Sequence, residues 1–236
     1  MGDLCGWSPW DGVVEVGMKI VYVDNSELAE KMFRFRYEMY VKELQWFKRE
    51  DYPEGVVRDN FDDYSHNYVA INNQGEIEGG IRVNPDGPEG LMLESCHSLN
   101  GLRKGRRLAE FNRFVVSQRY YGKSLGPLLM KAGYQCAVQL GITHIVLSTR
   151  IELKEYYEKL GFIQVGEKYY DPMFPSHPFN VTMVLDRIAA QDEWPCSRPR
   201  LYDFFTSPDN RIKHGRDERT YMVKYIVAKG QGDYTI

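Results

Sequence analysis

Hydrophobic and polar residues alternate in two registers along this chain, and the switches between them outline its elements. Val13–Val23 (VVEVGMKIVYV) is rich in β-branched residues and predicts a first strand. Apolar positions then recur at helical spacing, with Leu28, Met32, Phe35 and Met39 on one stripe. They predict a helix from Asp24 to about Val41, with Asp24 and Glu27 as its capping box. Arg36 and Tyr40, four apart, share the adjoining stripe. Asn67–Ile71 and Glu76–Val83 read as a hairpin around Asn72-Asn73-Gln74-Gly75. The run from Leu108 to Leu129 (LAEFNRFVVSQRYYGKSLGPLL) opens as a strand through Phe111, Phe114, Val115 and Val116. It continues as a helix with Leu125, Leu128, Leu129, Ala132, Cys136 and Leu140 on one face, and stops near Gly141.

Thr143–Thr149 is a short buried-type strand, and Glu152–Leu160 a helix closed by Gly161. Phe162–Lys168 and Phe179–Leu185 are two further strands. Met92–Arg107 follows neither period. Beyond Asp192, Pro195, Pro199 and Pro208 interrupt the chain, and Thr220–Ala228 alone reads as a strand. The order predicts an α/β fold, a mixed sheet with helices on its faces. Its central strand–turn–helix–strand unit should be a right-handed crossover, making the flanking strands parallel neighbours. One domain is expected over residues 1–190, with 191–236 an extension packed on or flanking it. The first twelve residues, with Trp7, Pro9 and Trp10, read as an arm.

Composition narrows the function classes. The 236 residues are 43% hydrophobic and 27% charged, which fits a soluble globular chain. A net charge of −3 gives no reason to expect a nucleic-acid partner. No apolar run is long enough to span a membrane, and Asp3 sits where a secretory peptide would carry positive charge. The four cysteines and five histidines are scattered, without Cys-x-x-Cys or ligand spacing. Neither a metal site nor a disulfide frame is expected, and the cytoplasm is the expected location.

The junction Arg119-Tyr120-Tyr121-Gly122-Lys123-Ser124 brings chemistry into this frame. A strand running through a Gly-containing turn into a helix aims backbone N–H groups and the positive end of the helix dipole at one point. That point suits phosphate or pyrophosphate. Gly122 would serve equally to permit a tight turn.

Arg119-x-x-Gly122-x-Ser124 and Tyr157-Glu-Lys-Leu-Gly161-Phe162 resemble two motifs of the GNAT N-acyltransferase superfamily. The first resembles its pyrophosphate loop, with Ser124 for the final small residue. A narrower resemblance, to acyl-homoserine-lactone synthases and N-acyl amino acid synthases, runs through Arg36, Tyr40, Trp46, Asp59, Asp62, Arg82 and Glu110-Phe111-Asn112-Arg113-Phe114. Tyr40 stands for a more usual Phe, and Asn112 for the Ser of the lactone synthases. The resemblance implies a GNAT-like fold, mainly antiparallel and twisted, whose central bulged strand leads into the phosphate loop and helix.

It also implies N-acyl transfer from an acyl-carrier-protein or acyl-CoA thioester to the amine of an amino-acid-like acceptor. S-adenosylmethionine would be that acceptor in a lactone synthase, and no permanently bound cofactor is expected. Ser117–Ser124, with Arg119, Gly122, Lys123 and Ser124, would hold the donor phosphate. Backbone N–H groups on the preceding strand, at Phe114 and Val116, would polarise the thioester carbonyl. Glu110 is the candidate for taking the amine proton, Tyr157 for protonating the leaving thiolate, and Arg113, on the strand of Glu110, is the third catalytic candidate. Arg36, Arg82 and Arg113, with Asp59 and Asp62, could hold the acceptor or form a structural ion-pair network. Tyr40 and Trp46 would wall its pocket. Strict alternation puts Glu110 and Arg113 on opposite faces of one strand, so both reach a cleft only if a β-bulge lies between them. An acetyl-CoA-dependent acetyltransferase acting on a small amine is the next reading, and a non-catalytic acyl-thioester sensor another.

Overall fold

Strand β1 (Lys19–Tyr22) leads into helix α1 (Ser26–Tyr37). The computed structural model describes residues 17–171 and 179–215, so the strand expected over Thr220–Ala228, the arm and the first residues of Val13–Val23 lie outside it. Asn25, not Asp24, caps α1: its side chain accepts from the Leu28 N–H at 2.9 Å, while Asp24 accepts from the Asn25 amide. The helix does not run on to Val41 as a regular α-helix but widens into a π-turn, Glu38–Glu43. Its buried stripe also shifts, with Arg36, Tyr37 and Tyr40 buried and Phe35 only half-buried. Polar partners under the sheet, described below, draw Arg36 inward.

Strands β2 (His66–Ile71) and β3 (Ile77–Pro85) form the expected hairpin. The ambiguous stretch resolves into a 3₁₀ turn at Met92–Ser95 and a short helix, α2 (Asn100–Arg103). Arg103 anchors it to Asp86 and Glu94. Strand β4 (Leu108–Val116), helix α3 (Leu125–Gln139) and strand β5 (His144–Arg150) form the central unit. β4 and β5 are parallel neighbours, as a crossover requires. Helix α4 (Lys154–Lys159), strands β6 (Ile163–Tyr170) and β7 (Phe179–Asp186), helices α5 (Arg187–Ser197) and α6 (Pro199–Thr206), and the short strand β8 (Ile212–Lys213) complete the described chain.

The eight strands make one open sheet in the order β6-β7-β5-β4-β3-β2-β1-β8, antiparallel except at β4/β5 and β1/β8. One face carries α3, α5 and α6. Ile20, Tyr68, Ile81, Phe111 and Val181 point toward them from successive strands into the main core. The other face is covered by α1, its π-turn and the 91–103 segment, where Val69 meets Met32 and Val146 meets Leu93 and Leu99.

Of the three prolines expected to break the chain after Asp192, Pro208 alone lies outside regular structure, between α6 and β8. Pro195 lies inside α5, while Pro199 begins α6, where its fixed φ suits the first turn. Trp194, Leu201 and Phe205 enter the main core, Tyr134 and Phe205 meeting at 4.7 Å between ring centroids. Gly161 has φ +91°, and a Cβ there would fall 2.2 Å from the Trp194 ring, so the α4–β6 turn and α5 fit together only with glycine at this site. Among the described residues, no helix is long and apolar enough to cross a membrane.

Phe205 is 1% exposed, so Phe205→Ala is expected to cost about 3–5 kcal/mol in chemical denaturation. Unchanged stability would show that α6 contributes nothing to the core.

Candidate active site

The site begins with a break in strand register. Gly80 pairs with Val115 and Arg82 with Asn112, so Ile81 alone faces both Arg113 and Phe114. This is the β-bulge on which the placement of Glu110 and Arg113 turned. Arg113 adopts φ +51°, a conformation that costs a non-glycine residue of order 1–3 kcal/mol. Before the bulge, Glu110 and Asn112 face the α1 side while Phe111 faces the main core. The extra residue returns Arg113 to the α1 side, where it reaches Asp59, and leaves Phe114 against α3 near Gly126. Glu110 and Arg113 therefore look the same way.

The strand also departs from its parallel neighbour here. β4 and β5 pair only at Leu108–Glu110 with His144–Val146. Beyond that a wedge opens, with Arg113 and Phe114 on one side and Ser148, Thr149 and Arg150 on the other. It widens into a cavity of about 160 Å³, room for a substrate group and not just one water. Tyr40, Trp46, Phe47, Met92, Leu93 and Cys96 wall it on the α1 side, and Leu153 and Tyr157 on the other. Tyr169, Asp171 and Asn180 close the end toward β7.

Glu110 sits at the apex, 1% exposed, its carboxylate accepting from the Leu93 N–H at 3.3 Å. Burial pushes its pKa up to about 7, against the smaller opposing pull of that N–H, the Asn112 amide and Arg82. Tyr157 is buried beside Tyr156 and Phe162. Burial raises its phenol well above the ordinary value, although a hydrogen bond with Thr149 and the charge of Arg150 oppose this. It is a protonated donor at neutral pH.

The five charged residues expected at the acceptor end form one network. Arg36 grips Asp62 with one nitrogen at 2.8 and 3.0 Å from the two carboxylate oxygens, and donates to Asn67 Oδ1 at 2.7 Å. Arg82, wholly buried, donates to both oxygens of Asp59 at 2.6 and 3.2 Å, lies 3.1 Å from Asp62 and donates to Asn112 at 2.7 Å. Arg113 donates to Asp59 at 2.5 Å. Burial alone would raise both carboxyl pKa values. The guanidiniums outweigh it, Arg82 and Arg113 at Asp59 and Arg36 and Arg82 at Asp62, and hold both groups below the usual range. Tyr40 stacks on Trp46 with centroids 5.8 Å apart, and Arg113 lies over the rings of Tyr40 and Phe47.

The loop from Ser117 to Ser124 is tighter than a fully open nest. The N–H groups of Tyr120, Tyr121 and Lys123 bond back to Ser117, Gln118 and Tyr120. Gly122 has φ +73° with open space where a Cβ would stand, so backbone conformation and not crowding calls for glycine. Ser124 is the N-cap position of α3. The Arg119 side chain turns away to Glu78 and Glu76 on the β2–β3 hairpin, and Lys123 lies over the Tyr120 ring. What this element can offer a phosphate is the dipole and N–H groups of the first turn of α3.

Arg150, Asn67, Phe47 and the polar group at Ser148, Tyr169 and Asn180 were not among the candidates. None belongs to a local motif; each reaches its place only through strand pairing or loop packing. Among the described residues no His, Cys, Asp or Glu cluster could hold a metal ion.

A sheet of this order, split between two parallel strands after a bulged one, is that of a GNAT-type N-acyltransferase. A family model described as N-acyl amino acid synthase FeeM matches residues 31–185. The chain belongs to that family, within the group of acyl-homoserine lactone synthases and N-acyl amino acid synthases, and is an acyltransferase. The structure of BjaI, a CoA-dependent acyl-homoserine lactone synthase, with MTA superposes with a TM-score of 0.64 over 88% of this chain and 99% of its own at 18% identity. MesI, also a CoA-dependent acyl-homoserine lactone synthase, gives 0.55 over 84% and 100% at 21% identity. FeeM, an N-acyl amino acid synthase from uncultured soil microbes, gives 0.54 over 75% and 94% at 17% identity.

Removing one carboxylate leaves buried guanidiniums uncompensated, so Asp62→Asn is expected to lose about 3–5 kcal/mol in denaturant unfolding. The stabilisation from Asp59 and Asp62 is complete above their unfolded pKa of about 4 and is lost as pH falls through their lower folded values. Acid titration of stability should therefore be shallower below about pH 4 in Asp62→Asn than in the unaltered chain.

Proposed function

We propose that this enzyme transfers an acyl chain from a phosphopantetheine thioester, carried by coenzyme A or acyl carrier protein, to the amine of an amino-acid acceptor. The observation that carries the reading is Glu110, a buried carboxyl titrating near neutrality at the apex of the cleft. The donor's phosphate would rest at the first turn of α3, with its thioester entering the wedge between β4 and β5. Beyond Glu110 the outer edge of β4 has no parallel neighbour, which leaves backbone N–H groups near Phe114 and Val116 to polarise the thioester carbonyl.

Glu110 takes a proton from the acceptor ammonium, and the free amine attacks the carbonyl carbon. The C–N bond forms and the C–S bond breaks; the thiolate leaves with a proton from Tyr157, and the second proton of the amine, lost as the amide forms, returns through solvent to the Tyr157 phenolate. Arg36, Arg82, Arg113, Asp59 and Asp62 shape the acceptor side, with Tyr40 and Trp46 as its wall. The acceptor is either a free amino acid or S-adenosylmethionine. An acylated amino acid among the products would place the enzyme with the N-acyl amino acid synthases. A lactone accompanied by methylthioadenosine would place it with the lactone synthases.

With Glu110 as base, kcat/KM should rise with pH through about 7 and level off above it, because only the ionised carboxylate accepts the proton. Glu110→Gln should lower kcat by about 100-fold or more, measured as thiol release, and leave donor binding intact. A fully active Glu110→Gln enzyme would remove Glu110 from the chemistry.

A further inference from the structure

Every arginine on the acceptor side of the cleft that belongs to the network above is engaged by an aspartate, whereas Arg150 is not. Among the described residues, no carboxylate lies within ion-pair reach of Arg150 and its guanidinium makes no hydrogen bond; it lies over the Trp46 ring, 5.7 Å from the centroid, and its charge reaches the phenols of Tyr157 and Tyr121. Yet Arg150 lines the same cavity as Glu110. A guanidinium held over a ring and bound to no carboxylate has N–H groups available for an oxyanion.

The sheet decides which oxyanion. Alternation along β5 puts Ser148 and Arg150 on one face and Thr149 on the other, and Thr149 bonds to Tyr157 on α4. Arg150 pairs across the ladder with Asn180, and it meets Trp46 on the α1 side. The first turn of α3 belongs to the opposite side, where Phe114 meets Gly126, although the Tyr121 side chain of the preceding loop reaches back within electrostatic range of Arg150. An anion held by Arg150 therefore shares the cavity wall with the acceptor residues. In an α-amino acid the amine and carboxylate are separated by a single carbon, so a group that delivers its amine to Glu110 must bring its carboxylate into that same cavity.

We propose that Arg150 binds the α-carboxylate of the acceptor and so selects free α-amino acids, or S-adenosylmethionine, over amines without a carboxylate. This rests on the acyl-transfer reading above. Steady-state thiol release would be measured with acyl-CoA and acyl-carrier-protein donors against the twenty common amino acids and S-adenosylmethionine, then against the carboxamide of the best amino acid. Arg150→Met should raise KM for the acid about 10- to 100-fold, with kcat and donor KM changed less than about threefold, and should abolish the preference for acid over amide. Arg150→Lys should recover part of that preference, since it restores charge without the fork.

A preference that survives Arg150→Met, or a loss that falls on donor KM and so marks a phosphate contact, would overturn the proposal. If the unaltered enzyme acylates no amino acid, the transfer reading itself fails. Calorimetric titration with L-methionine and L-methioninamide then decides Arg150 separately. Tighter binding of the acid that disappears in Arg150→Met supports it; equal or absent binding of both by the unaltered chain overturns it.

Discussion

One extra residue in β4 organises the rest of this molecule. A strand cannot present two residues of opposite parity to one side unless its register is broken, and the Arg113–Phe114 bulge breaks it opposite Ile81. The same irregularity bends β4 away from β5, so the only parallel contact in the middle of the sheet ends at Glu110 and Val146. The cleft is the space that this divergence leaves. Its cost is a non-glycine backbone at positive φ, held by the Asp59 ion pair and the rings of Tyr40 and Phe47 packed against the Arg113 guanidinium.

The charged network below the cleft has two roles that pull on the same groups. Buried guanidiniums and carboxylates are unfavourable one by one, and become tolerable when each hydrogen-bonding direction is met. Arg36 and Arg82 meet that requirement through Asp59, Asp62, Asn67 and Asn112, drawn from the Asp59–Asp62 turn, β2 and β4. The network thereby ties α1 to the sheet and holds Arg113 at the cavity wall. Glu110 lies close by but is excluded from these pairs. Its carboxyl faces the Leu93 backbone, and burial dominates, which is why it titrates near neutrality while its acidic neighbours stay ionised. The environment thus separates carboxylates held ionised in pairs from a carboxyl that titrates near neutrality.

Helices α5 and α6 take no part in the cavity, yet they back the face on which it depends. Trp194 and Phe205 pack against Gly161 and Tyr134, so the turn that follows Tyr157 and the helix that follows the Ser117–Ser124 loop rest on one apolar layer. Close-packed protein interiors transmit little slack, so this layer holds the residues above it in place.

Local chemistry in the sequence determined much of this: the period-two runs of β2 to β7, the amphipathic stripe of α3, the glycine turn before it, and the charged residues that resemble a known acyltransferase pattern. Each depends on neighbours within a few positions, or on residue types in a fixed order. What the sequence could not reveal unaided was which side of the sheet each charge would occupy. Spacing alone left Glu110 and Arg113 opposed, and one bulge reversed that. It put Pro195 outside a helix, although core packing of Trp194 outweighs the missing hydrogen bond. It gave no sign that Arg119 would turn to Glu78, or that Arg150 would meet Trp46. Those outcomes depend on strand pairing between distant segments, where desolvation and ion-pair geometry act only after the tertiary fold has brought the partners together.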